Sequence, residues 1–151
     1  EVIEIEPNAI SPFLVTERLL RNVRISSFLL SEKGISYLFV LQPTLAVTDK
    51  QLAKREQEAL ENQEYFEECF AQFDRALRNL HGTGFQYLNL SGVFDDIDAQ
   101  EEIFLDSHHF GDKGNKIIAE KIFLNIKDLP HFPVPENVAQ QRGSVRNLPH
   151  F

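Results

Sequence analysis

The stretch of sequence best suited to chemistry spans residues 103–115, where an aspartate stands three residues before a histidine. Asp106 and His109 lie on a predicted turn into a helix, so the carboxylate can reach the imidazole. A carboxylate there fixes the ring tautomer and stabilises the imidazolium, and the other ring nitrogen can take a proton from a nucleophile. The spacing favours His109 over His108. Asp106 and His109 are therefore the candidate catalytic residues.

The same pair has simpler interpretations. Aspartate and histidine near the start of a helix are commonly capping and hydrogen-bonding residues. A metal site built from Asp106, His108 and His109 is disfavoured, because adjacent side chains diverge and no further ligand is near in the sequence. The one cysteine, Cys69, excludes an internal disulfide and a cysteine-based zinc site. No metal and no cofactor is expected.

The sequence around the pair favours catalysis. Asp106-x-x-His109 followed by Gly114-Asn115-x-x-x-Ala119 resembles the last sequence block of the SGNH hydrolases, also called GDSL esterases and lipases. The upstream segments 40–43, 88–91 and 93–95 resemble later strands of that family in the same order, so the resemblance covers roughly residues 27–126.

This resemblance implies an ester hydrolase with a Ser-His-Asp triad and no cofactor. His109 would act as general base and then general acid, Asp106 would orient it, and the reaction would pass through an acyl-enzyme. The implied substrate is a small acyl ester or an acylated carbohydrate. The implied fold is a partial three-layer α/β/α arrangement, flavodoxin-like, with a parallel sheet.

Three family blocks are absent from the chain. The nucleophile of the family lies in Gly-Asp-Ser, but the Gly-Asp at 111–112 is followed by Lys113. The glycine and asparagine blocks of the oxyanion hole are also missing. All three precede the matching region in family order, and the chain contains no methionine. We therefore expect the C-terminal portion of such a protein, inactive or nearly so by itself.

The serines present in the chain are poor candidates for the missing nucleophile. Ser91 follows a predicted strand, Ser107 is too close to its own histidine, and Ser11, Ser26 and Ser27 lie on a predicted helix. None is expected to be the nucleophile. The alternatives are a non-catalytic binding or assembly module, and one half of a split or processed enzyme whose partner chain supplies the serine.

Helices and strands alternate in the predicted order. The patterns predict a helix from Ser11 to Gly34, a strand at 35–41, a long helix begun by a capping box at 48–51, a strand at 85–90 and a last helix capped by Asp112. This order is typical of an α/β fold with a parallel sheet. Two strands leave edges open, which favours completion by missing sequence or self-association through an exposed edge.

Two polar segments are predicted to be solvated: the acidic loop at 93–105, and the outer face of the long helix with its glutamates Glu56, Glu58, Glu61, Glu64, Glu67 and Glu68. The predicted domain spans residues 1–128. A proline-rich irregular tail follows at 129–151, with Leu-Pro-His-Phe at 129–132 and again at 148–151.

Composition narrows the classes of function. The 151 residues are 42% hydrophobic and 25% charged, which excludes a disordered, collagenous or disulfide-framed chain. A net charge of −8 disfavours a nucleic-acid partner and docking on an anionic membrane. No apolar run approaches the roughly 20 residues of a membrane span. The sequence indicates no compartment.

Overall fold

The structure, a computed structural model, describes residues 10–82 and 84–127. It contains both helices and strands. The elements in chain order are α1 (Pro12–Ser31), β1 (Tyr37–Leu41), α2 (Lys54–Glu58), α3 (Gln63–Arg78), β2 (Phe85–Asn89) and α4 (Asp112–Ile126).

The two strands form a parallel two-stranded sheet, as the sequence predicted. The register runs from Tyr37 opposite Phe85 to Leu41 opposite Asn89. The Leu90 amide donates to the Leu41 carbonyl at 2.9 Å, so the pairing continues one residue past β2. The carboxyl ends of both strands therefore meet at one edge of the sheet.

Helices α1 and α3 pack on one face of the sheet. Leu20 and Val23 from α1 and Leu77 from α3 are buried together, and Tyr37 and Phe85 of the strands pack against them. These strand residues alternate with neighbours on the opposite face, as the period of a strand requires.

Helix α1 has the predicted limits within a few residues. Pro12 occupies the first turn, where its missing N–H removes no intrahelical hydrogen bond, although the Ser11 side chain makes no capping hydrogen bond. Gly34 has φ +66°, a conformation that a side chain would disfavour, and it follows the end of the helix.

The prediction of one long helix begun by a capping box at 48–51 is wrong. The segment forms two helices, α2 and α3, with residues 59–62 between them. Asn62 takes a left-handed conformation with φ 50°, which asparagine tolerates better than most residues and which cannot continue a helix. The longer of the two helices, α3, therefore begins only at Gln63.

The loop at 93–105 is only partly solvated, which corrects a second prediction. Asp96, Asp98 and Glu102 are exposed, but Phe94 and Phe104 are buried within the same loop. The Phe94 ring lies edge-on to Phe104 and to Phe110, with centroids 5.4 and 5.8 Å apart. Apolar side chains spaced between acidic ones thus form a second buried cluster.

Gly114 completes this aromatic cluster. A Cβ atom at Gly114 would lie 2.7 Å from Phe110 Cβ, closer than real Cβ atoms approach, and 3.0 Å from Ile103 Cγ2, which is tighter than most such contacts. Only glycine lets the first turn of α4 pack this close to the two residues.

The described residues fall into two compact units, one ending at Asn115 and the other beginning at Lys116. The predicted tail at 129–151 lies outside the described residues. Within the part of the chain that the structure describes, no helix is long and apolar enough to cross a membrane.

Candidate active site

Residues 103–111 fold back on themselves, and we call this segment the site hairpin. The Gly111 amide donates to the Ile103 carbonyl at 2.9 Å, and the Leu105 amide donates to the His109 carbonyl at 2.8 Å. Phe104 and Phe110 form an antiparallel bridge between these two hydrogen bonds. The site hairpin therefore presents residues 106–108 in its turn.

The Asp106 carboxylate organises this turn. Its Oδ1 accepts hydrogen bonds from the backbone N–H groups of His108 and His109, both at 2.9 Å. A carboxylate that bonds to the backbone two residues ahead is a common turn device of aspartate. The His108 amide and then the His109 imidazole and amide hold the pKa of the Asp106 carboxyl well below its usual range. The carboxylate is thus ionised at neutral pH.

The Asp106 carboxylate also contacts the His109 ring. His109 Nδ1 lies 2.8 Å from Asp106 Oδ2 and 3.0 Å from Oδ1. An ionised carboxylate only accepts hydrogen bonds, so Nδ1 carries the proton and Nε2 is left as the acceptor in the neutral ring. The predicted contact between the two side chains is therefore present, while their catalytic role stays a prediction.

The His109 imidazole is open to solvent. Its side chain is 79% exposed, and no residue in 10–82 or 84–127 makes a hydrogen bond to Nε2. A hydroxyl brought within about 2.6–3.2 Å of Nε2 would be in reach for proton transfer. The arrangement can therefore act as a general base oriented by a carboxylate.

His108 has a different environment. Its Nδ1 lies 2.7 Å from Ser107 Oγ, and its ring packs edge-on against Phe66, with the centroids 5.1 Å apart. Neither contact involves Asp106. The sequence prediction that His109 rather than His108 pairs with Asp106 thus agrees with the contacts.

The turn of the site hairpin lies beside the loop that leaves β1. The Leu45 amide, four residues after the last residue of β1, donates to the Ser107 carbonyl at 3.1 Å. Ligand sites of open parallel sheets lie outside the carboxyl ends of the strands. The Asp106–His109 pair is therefore close to a loop that follows such an end.

Sequence reasoning missed Glu56, which contacts the base of the site hairpin. Its Oε1 accepts the backbone N–H groups of Ile103 at 2.8 Å and Phe104 at 3.0 Å. Its Oε2 accepts Lys50 Nζ at 2.7 Å and the Ala53 amide at 2.9 Å. The Lys50 and Glu56 side chains are both 0% exposed. The prediction that Glu56 lies on a solvated face is wrong, because its buried carboxylate accepts hydrogen bonds from the Lys50 ammonium and from three backbone amides.

These donors determine the ionisation of Glu56. Burial by itself would raise the pKa of the carboxyl, but the Lys50 ammonium and the amides of Phe104, Ile103 and Ala53 favour the charged form more strongly, so the pKa is lowered. No sequence signal separates Glu56 from its neighbour Glu58, since both stand in a polar segment.

An open cleft of about 350 Å³ adjoins the carboxyl ends of both strands. Asp74, Asn89 and Ser91 line it. Asp74 accepts hydrogen bonds from Asn89 Nδ2 at 2.7 Å and from Tyr87 Oη at 2.8 Å, so its carboxylate is occupied within the protein. Burial and then Asp74 raise the pKa of Tyr87. Within the described residues, no hydrogen bond joins Ser91 to His109.

No protein-family model, curated protein or solved structure matches this chain. Among residues 10–82 and 84–127, no group of three or more histidine, cysteine, aspartate or glutamate side chains is placed to hold a metal ion.

Proposed function

We propose that this chain is the C-terminal portion of an ester hydrolase of the SGNH/GDSL type, and that Asp106 and His109 are two members of its Ser-His-Asp triad. The observation that carries the proposal is the 2.8 Å hydrogen bond between His109 Nδ1 and Asp106 on a ring that is 79% exposed. A general base needs a ring nitrogen that a nucleophile can reach, and the exposed Nε2 of His109 meets this requirement.

The proposed fold is a three-layer α/β/α sheet of which this chain contributes part. A parallel sheet is normally covered on both faces and rarely consists of two strands. Strands β1 and β2 leave their outer edges without a strand partner among the described residues. Further strands from outside this chain would supply the missing edge and the serine.

In the proposed reaction, a serine from outside these 151 residues attacks the acyl carbonyl of an ester. His109 Nε2 takes the serine proton, and Asp106 stabilises the imidazolium that forms. The tetrahedral intermediate then expels the alcohol, which receives that proton, and an acyl-enzyme remains. Water then attacks the acyl-enzyme, with His109 again as the base. This second attack releases the carboxylic acid, and His109 returns the proton to the serine. The proposed substrates are small acyl esters or acylated carbohydrates.

Fluorophosphonate labelling tests this proposal. The probe is added to the 151-residue chain and to the native protein recovered with antibodies against this chain, and labelled peptides are mapped by mass spectrometry. We expect one labelled serine in the native material, in sequence not contained in this chain, and no label on the 151-residue chain. Native material without a reactive serine, or labelling that persists after His109→Ala, would overturn the proposal.

A non-catalytic assembly module is the second candidate, and the surface of α1 favours it. Phe13, Phe28 and Leu29 are each more than half exposed. Exposed apolar side chains are suited to self-association or to docking of a second chain. Sedimentation velocity distinguishes the candidates: an assembly module requires a concentration-dependent oligomer that Phe28→Lys dissociates and His109→Ala leaves intact.

A further inference from the structure

We propose that Glu56 is a positioning residue for the Asp106–His109 pair: its buried carboxylate fixes the base of the site hairpin and thereby the contact between the two side chains. The catalytic meaning of this role rests on the proposed function. The anchoring itself concerns hydrogen bonds that are present whether or not the protein is an enzyme.

The first support is the convergence of two neighbouring amides on one oxygen. The N–H groups of Ile103 and Phe104 both donate to Glu56 Oε1, at 2.8 and 3.0 Å. In an extended strand, successive amides point in opposite directions. Two successive amides that reach the same anion therefore require the backbone to curve around it. Glu56 stabilises the curved entry into the site hairpin.

The second support is the burial of the anchor. Glu56 Oε2 accepts Lys50 Nζ, which also donates to the Gln51 carbonyl at 3.0 Å, and the Ala53 amide. Neither side chain of the ion pair is accessible to solvent. Water cannot replace the carboxylate unless the interior opens, so the two hairpin amides depend on Glu56 for their hydrogen bonds.

The third support is the short path from the anchor to the site. Ile103 and Phe104, the residues that Glu56 binds, are also the residues that pair with Gly111 and Phe110 across the site hairpin. The next hydrogen bond, from Leu105 to the His109 carbonyl, closes the turn that contains Asp106. A change in the backbone at 103–104 therefore reaches the ring of His109 through adjacent pairs.

A purely structural role for Glu56 makes a different prediction. If the role were purely structural, replacement of Glu56 would lower the stability of the whole protein but leave the site hairpin unchanged in the molecules that remain folded. A positioning role changes the Asp106–His109 contact within the folded protein. Nitrogen NMR of the His109 ring reports this contact directly, because the Nδ1–H tautomer is selected by the Asp106 carboxylate.

The experiment compares Glu56→Gln with Leu77→Ala. Glutamine keeps the length and one acceptor oxygen but removes the charge, whereas Leu77→Ala opens a cavity in the cluster between α1, α3 and the sheet, away from the hairpin contacts. In folded Glu56→Gln, we expect loss of the single Nδ1–H tautomer of His109 and at least about tenfold faster hydrogen exchange at the amides of Leu105 and Gly111. In folded Leu77→Ala, the tautomer should persist.

A second variant keeps the test decisive if Glu56→Gln does not fold. Lys50→Met/Glu56→Leu removes the buried ammonium together with every side-chain acceptor for the amides of Ile103 and Phe104, and the same loss of the His109 tautomer is expected. An unchanged tautomer and unchanged exchange at Leu105 and Gly111 in the folded variant would overturn the positioning role.

The outcomes separate this inference from the proposed function. A hairpin that changes in Glu56→Gln, in a protein whose native form has no fluorophosphonate-reactive serine, supports the anchoring and refutes the hydrolase. A reactive serine that depends on His109, together with a hairpin that is unchanged in Glu56→Gln, supports the hydrolase and refutes the anchoring.

Discussion

The buried ion pair between Lys50 and Glu56 leads to a quantitative prediction about stability. Glu56→Gln leaves the Lys50 ammonium with no counter-charge at a site that is 0% exposed. Removal of one partner of a buried pair typically destabilises a protein by about 3–5 kcal/mol. Lys50→Met is expected to cost less, because the carboxylate that remains still accepts three backbone N–H groups, those of Ala53, Ile103 and Phe104.

The two changes should not be additive. Once Glu56 is glutamine, replacement of Lys50 by methionine removes an unpaired buried charge and restores part of the lost stability. We expect the double variant to be more stable than Glu56→Gln alone, with a coupling of about 1–3 kcal/mol. A loss of about 3–5 kcal/mol is a large share of the roughly 5–15 kcal/mol by which a domain is stable, so Glu56→Gln should unfold at a much lower urea concentration than the parent.

Urea unfolding followed by far-ultraviolet circular dichroism measures the four free energies of the cycle, and equal m-values confirm that the variants unfold in the same way. The exposed pair Lys54–Glu58, with nitrogen and oxygen 3.9 Å apart, is the matched control. Its corresponding substitutions should each change stability by less than about 1 kcal/mol. The Glu56 carboxylate would not be the centre of this group of hydrogen bonds if Lys50→Met and Glu56→Gln lowered the free energy of unfolding equally. The same conclusion would follow if the effects of the two substitutions were strictly additive.

Three further predictions concern the site and its support. Gly114→Ala should destabilise the protein by about 1–2 kcal/mol in urea unfolding, because overpacking against Phe110 costs more than the helix propensity that alanine gains; an unchanged or higher stability would contradict the packing. Asp106→Asn should abolish the single His109 tautomer in nitrogen NMR, and retention of that tautomer would show that another group orients the ring. Folding lowers the pKa of Glu56, so this carboxylate contributes stability that is present above its unfolded pKa and is lost as the pH falls through the folded value. Glu56→Gln should therefore lose less stability than the parent between pH 5 and pH 3. Parallel pH profiles of the two proteins would contradict this.

Features set by nearby residues were predictable from the sequence. The contact between Asp106 and His109 joins residues three apart, so their spacing alone indicates it. The parallel strands follow from apolar runs separated by a helical segment. In both cases the deciding information lies within a short window of sequence.

Features that depend on distant partners were not predictable. Glu56 binds amides 47 and 48 residues later in the chain, and a backbone N–H has no sequence signature. Likewise, Phe94 and Phe104 stand among acidic residues, where the local composition indicates a solvated loop, but both rings are buried against each other and against Phe110. Tertiary contacts overrode the local pattern at each of these positions.

The long separation between Glu56 and its amide donors also bears on the order of folding. A loop of this length must close before the carboxylate can bind Ile103 and Phe104, and burial of its charge is unfavourable until those amides and Lys50 are in place. The anchor should therefore form after the folding transition state. In stopped-flow experiments, Glu56→Gln should accelerate unfolding and leave the refolding rate nearly unchanged. The lifetime of the native site hairpin is then determined by a contact that contributes little to how fast the protein folds.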